Sequence, residues 1–246
     1  MPVVRTIGHG TELVVFVPGM PGSHAMFHPV LEQVPNGTEC IVMDLVDTGE
    51  APDAPEATLD ELEDDVAEVL AGQHGPVTAV GVSVGAYLIG RVLPKVADSV
   101  ARVVLLGGMP YLTAARRREL AELADAIEGG TLDHNQLVAV ACEQWLASET
   151  TDAAVHEVRT MLDAEPADRI VRALRRLSEV DAQRPVPPFE VPGLCLHTRG
   201  DPAVTFDLGE QLSALGSRCE MRPLDGDAHL LPLTRPQLLA EAVFHH

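Results

Sequence analysis

The chain has 246 residues, 46% of them apolar and 3% aromatic, enough to bury one sizeable core with an elaboration rather than two equal domains. Its formal net charge is −20, from 37 acidic and 17 basic residues. Such a surface repels phosphate backbones and anionic lipid, which argues against nucleic-acid and membrane partners.

No apolar stretch approaches the roughly 18 to 20 residues of a bilayer span. The opening "MPVVRTIGHG" has neither the basic nor the apolar region of a signal peptide, so a cytoplasmic protein is expected. Cys40, Cys142, Cys195 and Cys219 form no CxxC pair, and three of them fall in strand-like runs, which reads as buried free thiols in a reducing compartment. His245 and His246 are read as the remnant of a purification tag and set aside.

In chain order, "VRTIG" (4–8) could form an edge strand, and "ELVVFVP" (12–18) and "ECIVMDL" (39–45) are stronger strand candidates. "TLDELEDDVAEVLAG" then reads as a helix opened by a capping box, with Thr58 three residues before Glu61. "VTAVGVS" (77–83), the helix-like "AYLIGRVLPKVA" and the strand "ARVVLLGG" (101–108) follow. Most of these runs are continuously apolar rather than alternating, as in a parallel sheet covered on both faces.

The βα rhythm then stops. "AARRRELAELADAIEG", "LDHNQLVAVACEQWLAS", "DAAVHEVRTMLDAE" and "ADRIVRALRRLSEV" read as successive helices, and "RPVPPFEVP" (184–192) as an extended return. The rhythm resumes with "GLCLHTR" (193–199), "FDLGEQLSALG", "CEMRPLD" (219–225) and "PQLLAEAVF". The expected fold is α/β, a doubly wound, mostly parallel sheet formed by residues 1–108 and 191–246. A helical cap, residues 109–190, is inserted between two of its strands.

Gly81-Val82-Ser83-Val84-Gly85 is a G-x-S-x-G pentapeptide placed where a strand turns into a helix. A sharp turn there lifts the hydroxyl above the sheet edge, and glycines two positions to either side let backbones pass closely. It also leaves the Val84 N–H at a helix N-terminus, able to meet a developing oxyanion. The bland alternative is a Gly-bounded buried strand end.

A serine hydroxyl needs a base. His229, in "DGDAHLLPLTRPQLL", follows the last strand at the same sheet edge as Ser83; His24, His28, His74, His134, His156 and His197 read as surface or packed histidines. Asp201, in "HTRGDPAVT", follows the preceding strand and completes the order Ser, Asp, His; Asp225 and Asp227 compete for its role or shape the turn around His229. The Gly-Pro-Gly-rich "FVPGMPGS" can aim the Met20 N–H at the serine as a second oxyanion donor, or can be a simple βα turn.

With "FVPGMPGS", "VGVSVGAYLIG", "TRGDPAV" and "DAHLLPLTRPQLL", the chain resembles a capped member of the α/β-hydrolase fold superfamily, similar to small bacterial esterases, acyl-thioester hydrolases and enol-lactonases. It departs from the family's usual residues at Pro18, Val82, Ala86 and "MDLVDTGEAP". A serine nucleophile argues against haloalkane dehalogenase and epoxide hydrolase chemistry.

The resemblance implies a serine hydrolase of carboxylic esters or thioesters of small or medium soluble substrates, needing no metal or organic cofactor. Lyase, acyl-transfer or cofactor-free oxygenase chemistry on the same frame, or ligand binding with little turnover, are the alternatives. Met109, Tyr111, Trp145 and Met161 are candidates for an apolar pocket over Ser83. Arg116, Arg117 and Arg118, and later Arg172, Arg175 and Arg176, read as solvated helix faces or as contacts to an anionic or carrier-linked substrate.

Overall fold

Continuous apolar runs become the buried strands of one sheet. In the computed structural model, which describes residues 3–245, the strands are β1 (Val3–Gly8), β2 (Gly10–Val17), β3 (Gly37–Asp44), β4 (Val77–Val82), β5 (Val100–Leu106), β6 (Gly193–Thr198) and β7 (Cys219–Leu224). Met1, Pro2 and His246 lie outside the described residues, so the terminal histidine pair is represented by His245 alone.

Among the described residues the sheet has seven strands in the order β1-β3-β2-β4-β5-β6-β7. Only β1 runs antiparallel, against β3. It is an edge, and Val4 and Ile7 remain exposed there.

The helices are α1 (His28–Leu31), α2 (Leu59–Ala71), α3 (Val84–Val96), α4 (Ala114–Glu128), α5 (His134–Trp145), α6 (Asp152–Asp163), α7 (Ala167–Leu177), α8 (Phe206–Leu215), α9 (Leu231–Thr234) and α10 (Pro236–Phe244). The Thr58 hydroxyl accepts from the Glu61 amide at 3.3 Å and the Glu61 carboxylate accepts from the Thr58 amide at 2.8 Å, so the expected capping box opens α2. Helices α1 and α9 are unexpected; four residues are too few to show a 3.6-residue period. Cys40 and Cys195 are buried, whereas Cys142 and Cys219 are only half-buried, and all four thiols are free.

Helices α4 to α7 leave after β5 and return before β6. They are tied to the rest of the chain by a seam of arginines on α7. Buried Asp47, in the loop after β3, accepts from Arg172 Nε and Nη2 at 3.0 and 3.1 Å and lies 2.6 Å from Arg176 Nη1. Arg176 also donates to the carbonyls of Ala54 and Ala57, at 2.5 and 2.7 Å. Arg175 pairs instead with Asp125 and Glu128 of α4.

Burial alone would raise the Asp47 carboxyl; the bonds from Arg172, the Ala54 amide and Arg176 outweigh it and bring its pKa down to about 2. A depressed carboxylate stabilises fully above its unfolded pKa of about 3.9, and that contribution is lost as pH falls through the folded value.

Asp47→Asn, which takes the shared buried charge partner from Arg172 and Arg176 while leaving them Asp53, Asp168 and the Ala54 and Ala57 carbonyls, is expected to cost roughly 3 kcal/mol at pH 7. In urea titrations the gap between wild type and variant should narrow between about pH 4 and pH 2.

Candidate active site

Four strands of the sheet end in a loop that carries one part of the site, always at the C-terminal edge of a parallel strand. Ser83 follows β4 with φ 55° and ψ −119°, outside the ordinary conformations of a non-glycine residue. Serine is a strong helix N-cap, yet at the N-cap of α3 its hydroxyl makes no capping bond. The turn is held instead by the backbone: the Ser83 amide donates to the Leu106 carbonyl at 2.8 Å, and the Ala86 and Tyr87 amides donate to the Ser83 carbonyl.

The flanking glycines are obligatory on space. A Cβ at Gly81 would come within 2.7 Å of the Ala86 backbone, and one at Gly85 within 2.3 Å of the Val17 carbonyl oxygen. Val82 and Val84 are fully buried, whereas Ser83 between them is partly exposed.

His229 and Asp201 form a buried pair, with Nδ1 and Oδ2 2.7 Å apart. The other carboxylate oxygen accepts from the amides of Ala203 and Val204, each at 2.9 Å. Burial would raise the Asp201 pKa; the charge of His229 and the bonds from His197 and His229 more than offset this, so the group stays well below the usual carboxylate range. With Nδ1 facing the carboxylate, Nε2 is the ring nitrogen of His229 left free for other chemistry.

His197, which reads in the sequence as a packed histidine, stands 3.4 Å from Asp201 Oδ2 and 2.8 Å from the Val204 carbonyl oxygen. Its part in supporting the 201–204 turn has no signature in strand periodicity. Gly107, after β5, is a second residue that sequence reasoning passes over. At φ 51° it tolerates no side chain, because a Cβ would lie 2.9 Å from His229 Nδ1 and 3.4 Å from Asp201 Oδ2. The paired glycines in "VVLLGG" are the trace it leaves.

Neither competing acid bonds His229 among the described residues. Asp227 Oδ1 accepts from the Ser148 amide at 3.1 Å and hydroxyl at 2.7 Å. Asp225 offers its backbone carbonyl to Arg235, which also forms a two-pronged ion pair with Glu149. The amides of His229 and Leu230 both donate to the Trp145 carbonyl at 2.9 Å. The end of α5 and the turn after it are therefore fastened to the histidine loop.

Ser83 and His229 line one cavity, about 820 Å³ of empty space with its mouth included. Met20 also lines it, and its amide finds no acceptor among the described residues. Val84, as the first residue of α3, has no intrahelical acceptor for its own N–H. Met109 and Trp145 lie on the wall.

Tyr111 and Met161 do not, which corrects the reading that placed them in the pocket. The Tyr111 hydroxyl is drawn away to Gln211 at 3.0 Å. Met161 is packed in the core beside Gly22, and its neighbour Leu162 lines the cavity in its place. Arg116 reaches the cavity wall, while Arg117 bonds the Ser178 carbonyl and Arg118 is exposed.

Residues 14–242 match the model of a family described as the Alpha/beta hydrolase family. Over 241 residues, 96% of this chain and 90% of the relative, the sequence is 24% identical to an (E)-2-((N-methylformamido)methylene)succinate hydrolase from Acinetobacter baylyi. Among solved structures, an esterase from Exiguobacterium antarcticum superposes with a TM-score of 0.85 at 18% identity, covering 98% of this chain and 93% of that one. The enol-lactonase from Burkholderia xenovorans gives 0.81 at 16% identity, with 98% and 94% covered.

Replacing Gly107 by alanine should push the His229 ring off Asp201 while leaving the sheet intact. The downfield proton resonance of the Nδ1–Asp201 hydrogen bond is expected to shift or vanish in NMR spectra, with far-UV circular dichroism unchanged.

Proposed function

Since the chain belongs to the Alpha/beta hydrolase family, we propose that it is a serine hydrolase cleaving carboxylic esters or thioesters of small or medium soluble substrates. One observation carries the reading. A serine held at a strained turn, its hydroxyl uncommitted, lines the same cavity as a histidine whose far nitrogen is bonded to a buried carboxylate at 2.7 Å.

In this scheme Ser83 Oγ attacks the acyl carbonyl and His229 Nε2 takes its proton. Asp201 keeps Nδ1 protonated and the ring oriented, and stabilises the imidazolium that forms. The N–H groups of Val84 and Met20 donate to the oxyanion. His229 then returns the proton to the leaving alcohol or thiol, which departs as the carbonyl reforms. Water, deprotonated by the same nitrogen, attacks the acyl carbon, and His229 passes that proton to Ser83 Oγ as the bond to the serine breaks and the acid leaves. The steps use neither a metal nor an organic cofactor.

Residues 109–190 act as a cap. Closing four helices over the strand ends excludes water and strengthens the oxyanion contacts, while limiting the size of the acyl group. The apolar wall built by Met109, Leu112, Leu137 and Leu174 suits a modest aliphatic chain.

Ser83→Ala and His229→Ala should each lower kcat on a p-nitrophenyl ester by roughly 10³ to 10⁶, with the double variant little worse, because the two act as one unit. Additive losses, or no labelling of Ser83 by a fluorophosphonate, would sink the scheme. Asp201→Asn should cost on the order of 10⁴ through the wrong tautomer, and Asp225→Asn or Asp227→Asn far less. Along esters from acetate to palmitate, kcat/KM is expected to peak at short or medium chains, with no jump when substrate forms micelles.

A further inference from the structure

The scheme above employs Ser83 and His229 and leaves two polar side chains of the same cavity without a task, Arg116 and Gln144. Arg116 stands in the first turn of α4. Within the described residues its guanidinium has one partner, Glu119, reached by a single nitrogen at 3.0 Å. That partner is largely exposed, and exposed pairs three residues apart hold weakly. The remaining donors of the Arg116 fork have no acceptor among the described residues.

Gln144 lies in the last turn of α5. Its carboxamide makes no hydrogen bond among the described residues, and its Oε1 is buried without a partner. Buried amide groups are normally satisfied, so an unpaired one on a cavity wall invites a ligand atom.

The surroundings restrict what that ligand can be. Among the described residues no Asp or Glu lines the cavity, although acids outnumber bases 37 to 17 in the chain. Apart from Ser83, His229 and this pair, the wall is built from apolar residues, glycine and proline. A cation would meet Arg116 with no counter-charge. A purely aliphatic chain would leave Gln144 desolvated without a partner and the remaining donors of Arg116 facing apolar surface. A carboxylate answers both once the Gln144 carboxamide makes a half-turn about its last torsion: the planar guanidinium fork matches its two oxygens, and Nε2–H, brought to the place of the acceptor Oε1, donates to it.

We propose that Arg116 and Gln144 form a distal specificity site that selects acyl groups ending in a carboxylate, so that the preferred substrates are half-esters of dicarboxylic acids. The assignment of the ester end to Ser83 rests on the hydrolase reading above; the carboxylate site itself does not.

Trp145 is the sole tryptophan and lines the cavity, which gives a binding signal independent of turnover. In Ser83→Ala protein, Trp145 fluorescence would be titrated with monomethyl glutarate and monomethyl adipate and with the matching neutral dimethyl esters. A half-ester should bind at least about tenfold more tightly than its dimethyl ester, as expected for hydrogen bonds to a charged group. Adding Arg116→Gln should collapse that ratio to near one, and Gln144→Leu should reduce it severalfold.

Equal binding of half-ester and dimethyl ester would overturn the proposal. So would an Arg116→Gln variant that weakens both in proportion, the mark of a packing role. Wild-type protein that hydrolyses neither half-esters nor neutral esters, with the binding ratio intact in the Ser83→Ala protein, would overturn the catalytic scheme and leave this site standing, whereas unselective hydrolysis of neutral and charged esters by the wild type would do the reverse.

Discussion

A single buried carboxylate organises the site. Asp201 is removed from water, and a charge there is tolerated only because it is surrounded by donors. Two amides from its own turn hold one oxygen, and His229 holds the other with His197 standing close by. Meeting that requirement fixes much else. The loops after β6 and β7 must converge, and the end of β5 must be a glycine so that nothing fills the space the imidazole occupies. The orientation of His229 is thus a consequence of satisfying an acid.

Charge is used economically in a chain so rich in acids. Arg172, Arg175 and Arg176 of α7 are engaged with Asp47, Asp53, Asp125, Asp168 and Glu128. Their role is to join the helical segment to the loop after β3 and to bind α7 to α4. A second fastening, through the Trp145 carbonyl, Asp227 and the Arg235–Glu149 pair, joins the same segment to the histidine loop. Any movement of these helices therefore acts on the loop that bears His229. Arg116, almost free of such commitments, differs from the other arginines in facing the cavity.

Asp47, Ser83 and Ala147 are the non-glycine residues with positive φ among the described residues, and at Ser83 the failure of local rules is informative. Ser83 has the chemistry of a good helix cap and the backbone of neither strand nor helix. Neighbouring structure compels this conformation through the Leu106 carbonyl and the close passage of Gly85 beneath Val17. Strain of this kind survives where packing over-determines it. The helices of the insertion obey the ordinary rules, with Thr113, Asp133 and Thr151 capping α4, α5 and α6.

Much of this was legible in one dimension because it follows from local periodicity and spacing. The strands, the long helices and the interruption after β5 are written in apolar patterning, and G-x-S-x-G at a strand end pointed to Ser83. Chain order and loop position singled out His229 and Asp201. What pattern could not decide was which side chains meet. Tyr111 and Met161 have the right character for a pocket, but a hydrogen bond to Gln211 and core packing take them elsewhere. Gly107, Arg116 and Gln144 matter through neighbours brought from other strands and helices, which no window of sequence contains, while His197 meets Asp201 and Val204 only because the chain turns back on itself after β6. Periodicity reports which face of an element is buried; what it is buried against is settled only when the sheet closes and the helices fold over it.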